Sequence, residues 1–477
     1  MMKKLRNQVM LITYPDSLGG NLAALKSTLD DTLQGAVGSI HILPFFPSSG
    51  DRGFAPTTYD RVEPAFGTWA DVEALAGDYM LMCDMMVNHI SRRSEEFQDY
   101  LRHGEESPYA EMFFDYDAFF GGEPSQEELA RLYRRSDKPL YQEITLPDGT
   151  RKRLWCSFSA EQIDLDTNSP VARDYIMRNL KGLGRHGISV VRMDAYGYIT
   201  KVRGTNCFFV EPQIWGLIEE MESLLQKQDM TLLPEVHDRY DVVRKISDHG
   251  YYTYDFVLPL TVLHTLFTGS GKALKRWLAI APDNQLSVLD THDGIGVYDA
   301  DGIVSEEEAE AVIRRAEPHL SYHYKPMDMS KRKYRKSYQL YGTYYSILGE
   351  RDDAYLLARA IQFFAPGIPQ VYYVGMLAGK NDLDFDPADH RNINRHNYSR
   401  AEIEAEAQRP VVRRLLDMMR LRNTCPAFDG PLEVAETEDS VLDLRRRHGD
   451  AWARLEADLR TCDFTITYGN ANETHTF

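Results

Sequence analysis

Short runs of apolar residues recur along the chain, and most are followed by a stretch with helical spacing. Eight such runs end on polar or glycine residues, a pattern typical of strands buried on both faces. They are Val9–Tyr14, Ser39–Phe46, Tyr79–Asn88, Ile188–Asp194, Thr231–His237, Tyr252–Leu258, Leu286–Asp293 and Ala365–Val374. Helical spacing occurs in Ala70–Ala76, Val171–Gly187 and Pro212–Gln228. The alternation predicts a parallel sheet, and eight strands predict an α/β fold of the (β/α)8 TIM barrel type.

Two segments between predicted strands are too long to be simple connections. One follows the third strand and is rich in aromatic and charged residues, and the other follows the seventh strand. We expect both to be inserted subdomains. Alternating runs near the C-terminus, such as Val441–Leu444 and Phe464–Tyr468, predict a small β domain. The expected division is a barrel over 1–89, 167–293 and 358–428, insertions over 90–166 and 294–357, and a C-terminal β domain over 429–477.

Composition and charge narrow the class of protein. The 477 residues are 43% hydrophobic and 26% charged, as in ordinary globular proteins. A net charge of −18 disfavours nucleic acid or an anionic membrane as partner. The N-terminal apolar run is too short for a signal peptide, and no stretch has the length of a membrane span. Five scattered cysteines without a CxxC pair fit a reduced, cytoplasmic protein, expected as a monomer or homodimer.

Polar side chains with chemical potential collect where the predicted strands end. They are Asp84, Asn88 and His89 on the third strand, Arg192 and Asp194 on the fourth, Glu235 and His237 on the fifth, and His292 and Asp293 on the seventh. The active sites of TIM barrels lie at the carboxyl ends of the strands. One strand-end acid is more often a helix cap or a salt bridge, but four polar strand ends of matching type favour a functional site.

Three carboxylates in this set fit the hydrolysis or transfer of a glycoside. Retaining enzymes use one ionised and one protonated carboxyl group about 5 to 5.5 Å apart. Asp194 is the better nucleophile because Arg192, two residues earlier, favours its charged form. Glu235 follows Leu-Leu-Pro, an apolar setting in which a carboxyl group keeps a proton for the leaving group. Asp293 would stabilise the cationic sugar in the transition state.

Four ordered segments resemble the motifs of the α-amylase superfamily, glycoside hydrolase family 13. They are 84-DMMVNH-89, 192-RMDAYGY-198, 235-EVH-237 and 290-DTHDG-294. More narrowly, other segments resemble the sucrose phosphorylase subfamily, namely 43-LPFFPSSGDRGFAP-56, 208-FFVEP-212, 288-VLDTHDGIGV-297, 366-PGIPQVYYVGMLAGKND-382 and 392-NINRH-396. The resemblance extends from about Gln8 to Asp429, and the C-terminal part matches only loosely.

The resemblance implies reversible transfer of glucose from a small α-glucoside to inorganic phosphate, with retention and without a metal or organic cofactor. It implies that Asp194 is the nucleophile, Glu235 the acid/base and Asp293 the transition-state stabiliser. Residues implied to hold substrate are Asp51, Phe54, His89, Phe158, Gln162, Arg192, Tyr198, His292 and Arg395. Residues implied to shape the acceptor and phosphate site are Tyr133, Arg135, Lys336 and Gln339. Phosphate needs a local cation in an acidic protein, and Arg135 fits that need.

The second insertion departs from the subfamily pattern in 335-RKSYQLYGT-343. Lys336 stands where the subfamily has an Asp that helps to hold fructose, and Tyr341 stands where Asn is usual. An acid replaced by a cation removes an acceptor for sugar hydroxyl groups. A cation favours an anionic acceptor, whereas an outward-facing Lys336 would leave a smaller, Tyr-lined pocket suited to glycerol. We rank 2-O-α-glucosylglycerol first as the substrate, then sucrose, then sucrose 6′-phosphate and glucosylglycerate.

Two other classes of function remain as alternatives. An α-glucosidase or transglucosidase of the same superfamily would pass glucose to water or to a sugar. A non-catalytic barrel would serve as a scaffold, although such proteins have usually lost the carboxylates that are present here. His89, His237 and His292 lie on separate strands without metal-binding spacing, so hydrogen bonding to a sugar or a carboxylate is favoured over metal binding.

Overall fold

The computed structural model describes residues 4–134, 138–324, 339–386 and 388–477. Eight strands form one sheet and are numbered β1 to β8 in chain order. Their bounds are Met10–Thr13, Ser39–Ile42, Met80–Met86, Ile188–Asp194, Thr231–Pro234, Thr253–Asp255, Gln285–Ser287 and Ile368–Tyr372. The order in the sheet is β6-β7-β8-β1-β2-β3-β4-β5. Neighbouring strands are consecutive in sequence, except that the last strand, β8, pairs with the first, β1. The predicted TIM barrel is confirmed, and each predicted apolar run overlaps one strand.

Helices lie between successive strands of the barrel. The longer ones are Leu22–Asp31, Trp69–Asp78, Pro170–Arg185, Gln213–Gln226, Tyr240–Asp248, Leu258–Thr268, Lys272–Ile280, Asp352–Phe364 and Pro410–Thr424. Pro170–Arg185 begins where it does because the Ser169 side chain accepts a hydrogen bond from the Val171 amide and proline occupies the first turn. Its buried residues recur every three or four positions, which gives the helix one apolar face. They include Ala172, Ile176, Leu180 and Leu183.

Contacts divide the chain into two compact units. The first comprises residues 42–236, and the second comprises residues 5–41 and 237–477. In the first unit, the parallel register places Asp84 of β3 opposite Arg192 of β4, and Arg192 opposite Leu233 of β5. In the second unit, Ser287 at the end of β7 lies opposite Pro369 of β8. Proline offers no N–H to continue the ladder, so β7 ends earlier than its apolar run predicts.

Residues 90–166 of the first unit contain two antiparallel strand pairs. Tyr141–Thr145 pairs with Arg151–Trp155, and Gln162–Asp164 pairs with His89–Ser91. Helices here are Glu95–His103, Tyr116–Phe120 and Gln126–Arg131. The segment has its own apolar cluster, formed by Phe114, Tyr116, Phe120, Leu132, Leu140 and Trp155, to which Cys207 from the chain after β4 is added. This cluster gives the segment a core distinct from that of the barrel strands.

Residues 294–357 of the second unit contain a short antiparallel pair, Ile295–Gly296 with Gln339–Leu340, and the helices Glu306–Ala316, Ser321–Tyr324 and Tyr344–Ile347. The predicted C-terminal β domain is confirmed as a five-stranded antiparallel sheet. Its strands are Leu432–Val434, Val441–His448, Ala451–Asp458, Phe464–Gly469 and Thr474–Thr476. Within the described ranges, no helix combines the length and apolar character needed to cross a bilayer.

Candidate active site

A single buried arginine in the first unit is shared by three carboxylates. Arg192 Nη1 forms ion pairs with Asp84 and with Asp194 Oδ1, the latter at 2.9 Å, and Nη2 lies 3.6 Å from Glu235 Oε1. The guanidinium is 3% exposed and Asp84 is fully buried. The arrangement follows from the sheet, since residues two apart on β4 share a face and Asp84 lies directly across from Arg192. One positive charge therefore offsets the repulsion between the carboxylates around it.

The backbone immediately after β4 ties Asp194 to Glu235. Ala195 has φ 54° and ψ 33°, in the left-handed region, and its amide donates a 2.9 Å hydrogen bond to Glu235 Oε2. The Tyr196 amide donates to the Glu235 carbonyl at 3.1 Å, and the Glu235 amide donates to the Met193 carbonyl at 3.0 Å. The turn thus holds the two carboxyl groups in a fixed relation through main-chain contacts.

Predicted sugar-binding residues of the first unit form one wall around the Phe54 carbonyl. His89 Nε2 lies 2.9 Å from this oxygen, and Gln162 Nε2 donates to it at 3.1 Å. His89 is 1% exposed, and burial lowers the pKa of its imidazole. The Phe158 ring lies edge-on to His89, with centroids 5.3 Å apart. Asp51 is exposed, in the single turn Asp51–Gly53.

Aromatic rings continue this wall towards the predicted acceptor residues. Tyr198 lies 4.9 Å from Phe158 and 5.8 Å from Tyr133, measured between ring centroids. Tyr133 stacks on Phe208 at 4.1 Å with an interplanar angle of 22°. The structure therefore brings Tyr133 and Tyr198 together. Arg135, the predicted phosphate-binding cation, lies outside the described residues.

Lys201 was not identified from the sequence, although it lies beneath this wall. It is 1% exposed, forms a 2.9 Å ion pair with Asp164 and donates to Asn88 Oδ1 at 3.2 Å. It also donates to the Tyr198 carbonyl at 2.9 Å. A buried ammonium group needs such partners. Its position three residues after the YGY of the β4 motif carried no periodic signal that could have singled it out.

Asp293 lies in the second unit, in the loop after β7, beside three basic side chains. His292 Nε2 lies 3.3 Å from one carboxylate oxygen, and Arg391 Nη1 lies 3.5 Å from the other. A ring nitrogen of His237 lies within 4.8 Å of this carboxylate. His237 is itself fixed by Asp299, at 3.3 Å, and by stacking on Phe256. The side chain of Asp293 keeps 23% of its surface exposed.

Arg395 holds the backbone next to Asp293. Its Nε and Nη2 donate to the His292 carbonyl at 3.0 and 2.7 Å, and its guanidinium lies 5.6 Å from the centre of the Tyr14 ring. The same ring packs edge-on against His292 at 6.1 Å. Arg395 thus lies beside the backbone of His292, and its expected contact with the glucosyl ring stays a prediction. Gln339 is buried opposite Gly296, and Lys336 lies outside the described residues.

Asp389 and Arg391 are further residues that the sequence did not single out. Asp389 accepts from Arg391 Nε at 2.9 Å and Nη2 at 3.1 Å, and from Arg395 Nη1 at 3.3 Å. Burial opposes ionisation of Asp389, but the hydrogen bonds from Arg391 and the charges of both arginines hold its pKa below the usual value. Arg391 directly precedes the NINRH segment, which was the only available signal.

A buried ion pair lies at the base of the Asp293 loop. Arg359 Nη2 donates to both carboxylate oxygens of Asp290, at 2.8 and 2.9 Å, and Arg359 is fully buried. Arg359 also donates to Tyr355 Oη and Gln362 Oε1. Asp290 is three residues before Asp293, so the pair anchors the loop to helix Asp352–Phe364.

Comparison with known proteins shows a full-length likeness to one group of enzymes. Residues 11–260 match the family model described as alpha amylase, catalytic domain. The chain is 42% identical to the sucrose phosphorylase of Streptococcus mutans, over 99% of both chains. It is 41% identical to the glucosylglycerol phosphorylase of Marinobacter adhaerens, over 97% of both. The crystal structure of sucrose 6F-phosphate phosphorylase from Thermoanaerobacter thermosaccharolyticum superposes with a TM-score of 0.94, at 42% identity, covering 99% of this chain and 98% of that one.

Proposed function

This chain belongs to the α-amylase family, and we propose that it is a retaining α-glucosyl phosphorylase that gives α-D-glucose 1-phosphate. The likeness to glucoside phosphorylases extends over almost the whole chain, including the two insertions. An ordinary α-glucosidase would instead pass the glucosyl group to water.

The observation that carries the proposed mechanism is the Arg192 cluster. Asp194, ion-paired to Arg192 and 14% exposed, is the nucleophile that attacks the anomeric carbon. Glu235, 6% exposed and held by the Ala195 amide, gives its proton to the leaving oxygen. Phosphate then enters on the face that the leaving group vacated, opposite the ester bond, and attacks the anomeric carbon. It returns a proton to Glu235 and displaces the Asp194 carboxylate, so two inversions give net retention.

Asp293 supports the same reaction from the loop after β7. An oxocarbenium-like transition state carries positive charge on the sugar, and a fixed carboxylate near that charge lowers the barrier. Because TIM barrels gather their strand ends at one face, we propose that Asp293 and the Arg192 cluster act on one glucosyl ring. The ring would be held by His89, Gln162, Phe54, Phe158, Asp51, Tyr198, His292 and Arg395.

For the acceptor we propose glycerol, which makes 2-O-α-glucosylglycerol the natural glucoside. The support is Lys336, and Tyr341 five residues later, which stand where the resemblance implies groups suited to fructose. Tyr133, Arg135, Lys336 and Gln339 would shape this acceptor and phosphate region. The Marinobacter glucosylglycerol phosphorylase, at 41% identity over 97% of both chains, is consistent with this choice.

Sucrose is the second candidate, with fructose as the acceptor. It is favoured by the 42% identity to the streptococcal sucrose phosphorylase over 99% of both chains. Overall identity therefore does not separate the two substrates. The choice between the two substrates therefore depends on the segment that contains Lys336 and Tyr341.

The test is phosphate release from α-D-glucose 1-phosphate by the purified protein, with glycerol, with fructose, or with neither. We expect the fastest release with glycerol and a product in the α configuration. Faster release with fructose would make the chain a sucrose phosphorylase and Lys336 a bystander. Release at the same rate in all three tubes would contradict both glycerol and fructose as acceptors, and would indicate transfer to water or a lower-ranked acceptor. Asp194→Ala is the control for catalysis by a contaminant.

A further inference from the structure

Arg391 uses two edges of its guanidinium on two different carboxylates of the second unit. Nε and Nη2 grip both oxygens of Asp389, at 2.9 and 3.1 Å, while Nη1 faces Asp293 Oδ1 at 3.5 Å. The Arg391 side chain is 25% exposed and that of Asp293 is 23% exposed. An arginine held by a two-point contact is rigid, because its planar fork cannot rotate without breaking both bonds.

Local backbone geometry fixes the carboxylate that grips Arg391. Asp389 caps the short helix His390–Asn394 by accepting from the Arg391 amide at 3.1 Å. Asp389 is also bound by Arg395, which in turn holds the His292 carbonyl. Arg391 is therefore held by Asp389, and Asp389 is linked through Arg395 to His292, the residue before Asp293. The same residues, Asp389 and Arg395, therefore fix both partners of the contact between Arg391 and Asp293.

From this geometry we infer that Arg391 is a positioning residue for Asp293, fixing the direction of its carboxylate towards the charge that develops in the transition state. The inference rests on the proposed role of Asp293. Arg391 acts through that carboxylate rather than by touching the sugar or the phosphate. Its effect must therefore appear in turnover and must depend on the presence of the Asp293 carboxylate.

The experiment is a double-mutant cycle of Arg391→Met and Asp293→Asn, with kcat and KM measured separately for the glucoside and for phosphate. We expect R391M to lower kcat about ten- to a hundredfold while both KM values stay within about twofold. In the D293N background, R391M should produce little further loss, because the group through which it acts is gone. R391K keeps the charge without the fork and should fall between R391M and the unmutated enzyme.

Arg445 provides a matched control elsewhere in the same unit. It grips both oxygens of Asp443, two residues earlier, at 3.1 and 2.7 Å, and points Nη1 at Glu433 at 3.3 Å. This is the same arrangement in the C-terminal sheet. Arg445→Met should therefore cost a similar amount of stability and leave kcat unchanged. Thermal unfolding of every variant shows whether it is folded at the assay temperature.

Three outcomes would overturn the inference. In the first, R391M has the same kcat as R445M. In the second, the decrease in kcat caused by R391M is as large in the D293N background as in the unmutated enzyme. In the third, R391M changes only KM for phosphate. The last would assign Arg391 to phosphate binding instead. A failure of the proposed function would look different, because D293N alone would then retain near-normal kcat.

Discussion

Arg192 shows at the residue scale how one cation can organise several acids. Three carboxylates lie within 4 Å of a guanidinium that is 3% exposed. Buried charges are costly unless each is paired. Arg192 provides one such partner for all three carboxylates, which lets them lie close together at the ends of neighbouring strands.

The first prediction concerns the two carboxyl groups held by Arg192. Asp194→Ala removes the proposed nucleophile and Glu235→Gln removes the proposed proton donor, so each should lower kcat by several orders of magnitude. Steady-state phosphorolysis of the glucoside measures the loss. Added azide, a small nucleophile, can occupy the space vacated in the Asp194→Ala variant. It should restore part of the cleavage of the α-glucoside and give a glucosyl azide of inverted, β configuration. Near-normal kcat in either variant would contradict the assignment.

The second prediction concerns the pH dependence of stability through His89. Burial lowers the pKa of His89 from its ordinary value of 6.5. Below about pH 6.5 the unfolded chain takes up a proton that the folded protein excludes. The stability that depends on neutral His89 is therefore complete above that pH and declines as the pH falls below it.

Urea unfolding at about pH 7 and about pH 5 tests this prediction. His89→Gln keeps a donor for the Phe54 carbonyl but has no proton to gain, so it should lose less stability than the unmutated protein on acidification. Only the difference between the two proteins is interpreted, since other groups titrate equally in both. Equal losses would show that His89 does not contribute to acid sensitivity.

At the scale of elements, the strands were predictable and many contacts between them were not. Each apolar run located a strand, and the acids Asp194, Glu235 and Asp293 were predicted as site residues because TIM barrels place chemistry at strand ends. Arg359 and Asp290, 69 residues apart, carry no shared pattern in the sequence. Such long-range pairs depend on packing, which hydrophobic periodicity does not encode.

The third prediction concerns the helix Asp352–Phe364, which anchors the Asp293 loop through Arg359. Arg359→Met leaves Asp290 buried and unpaired, and should cost about 3 to 5 kcal/mol of unfolding free energy. Adding Asp290→Asn removes the uncompensated charge and should recover part of that loss. Chemical unfolding of the two single variants and the double variant measures the coupling.

The same helix contains its own control for this measurement. Arg351 forms an exposed pair with Asp353, with half of each side chain accessible. Arg351→Met should change stability by no more than about 0.5 kcal/mol, because exposed ion pairs contribute little. A cost for Arg359→Met as small as that for Arg351→Met would show that the Asp290 loop is not anchored by this pair.

At the scale of the whole molecule, the C-terminal sheet is part of the barrel's support. Arg446 is 4% exposed, and it donates to the carbonyls of Phe364 and Ala365 at the end of helix Asp352–Phe364. Arg422, in the helix Pro410–Thr424 that precedes the sheet, donates to the Phe363 carbonyl at 3.1 Å. These carbonyls have no partner within the helix and would otherwise be left unsatisfied. The sheet therefore completes a barrel helix.

The fourth prediction follows from that support. A chain truncated after Asp429 loses Arg446 and the sheet that packs beside it, and should be insoluble or unfold at a much lower temperature. A chain truncated after Ala471 loses only the exposed strand Thr474–Thr476 and its short flanks, and should remain folded. Soluble yield, size-exclusion chromatography and thermal unfolding compare the two. Similar behaviour of both truncations would contradict a supporting role for the sheet.

The left-handed turn at Ala195 has a consequence for engineering this enzyme. A non-glycine residue in that conformation costs about 1 kcal/mol, and glycine would remove the strain. Glycine would also increase the conformational entropy of the unfolded chain, which lowers the stability of the folded protein by a similar amount. The two effects nearly cancel, so Ala195→Gly should leave the unfolding temperature almost unchanged. Glycine keeps the backbone amide that binds Glu235, so a difference in turnover between alanine and glycine would report on the rigidity of this turn.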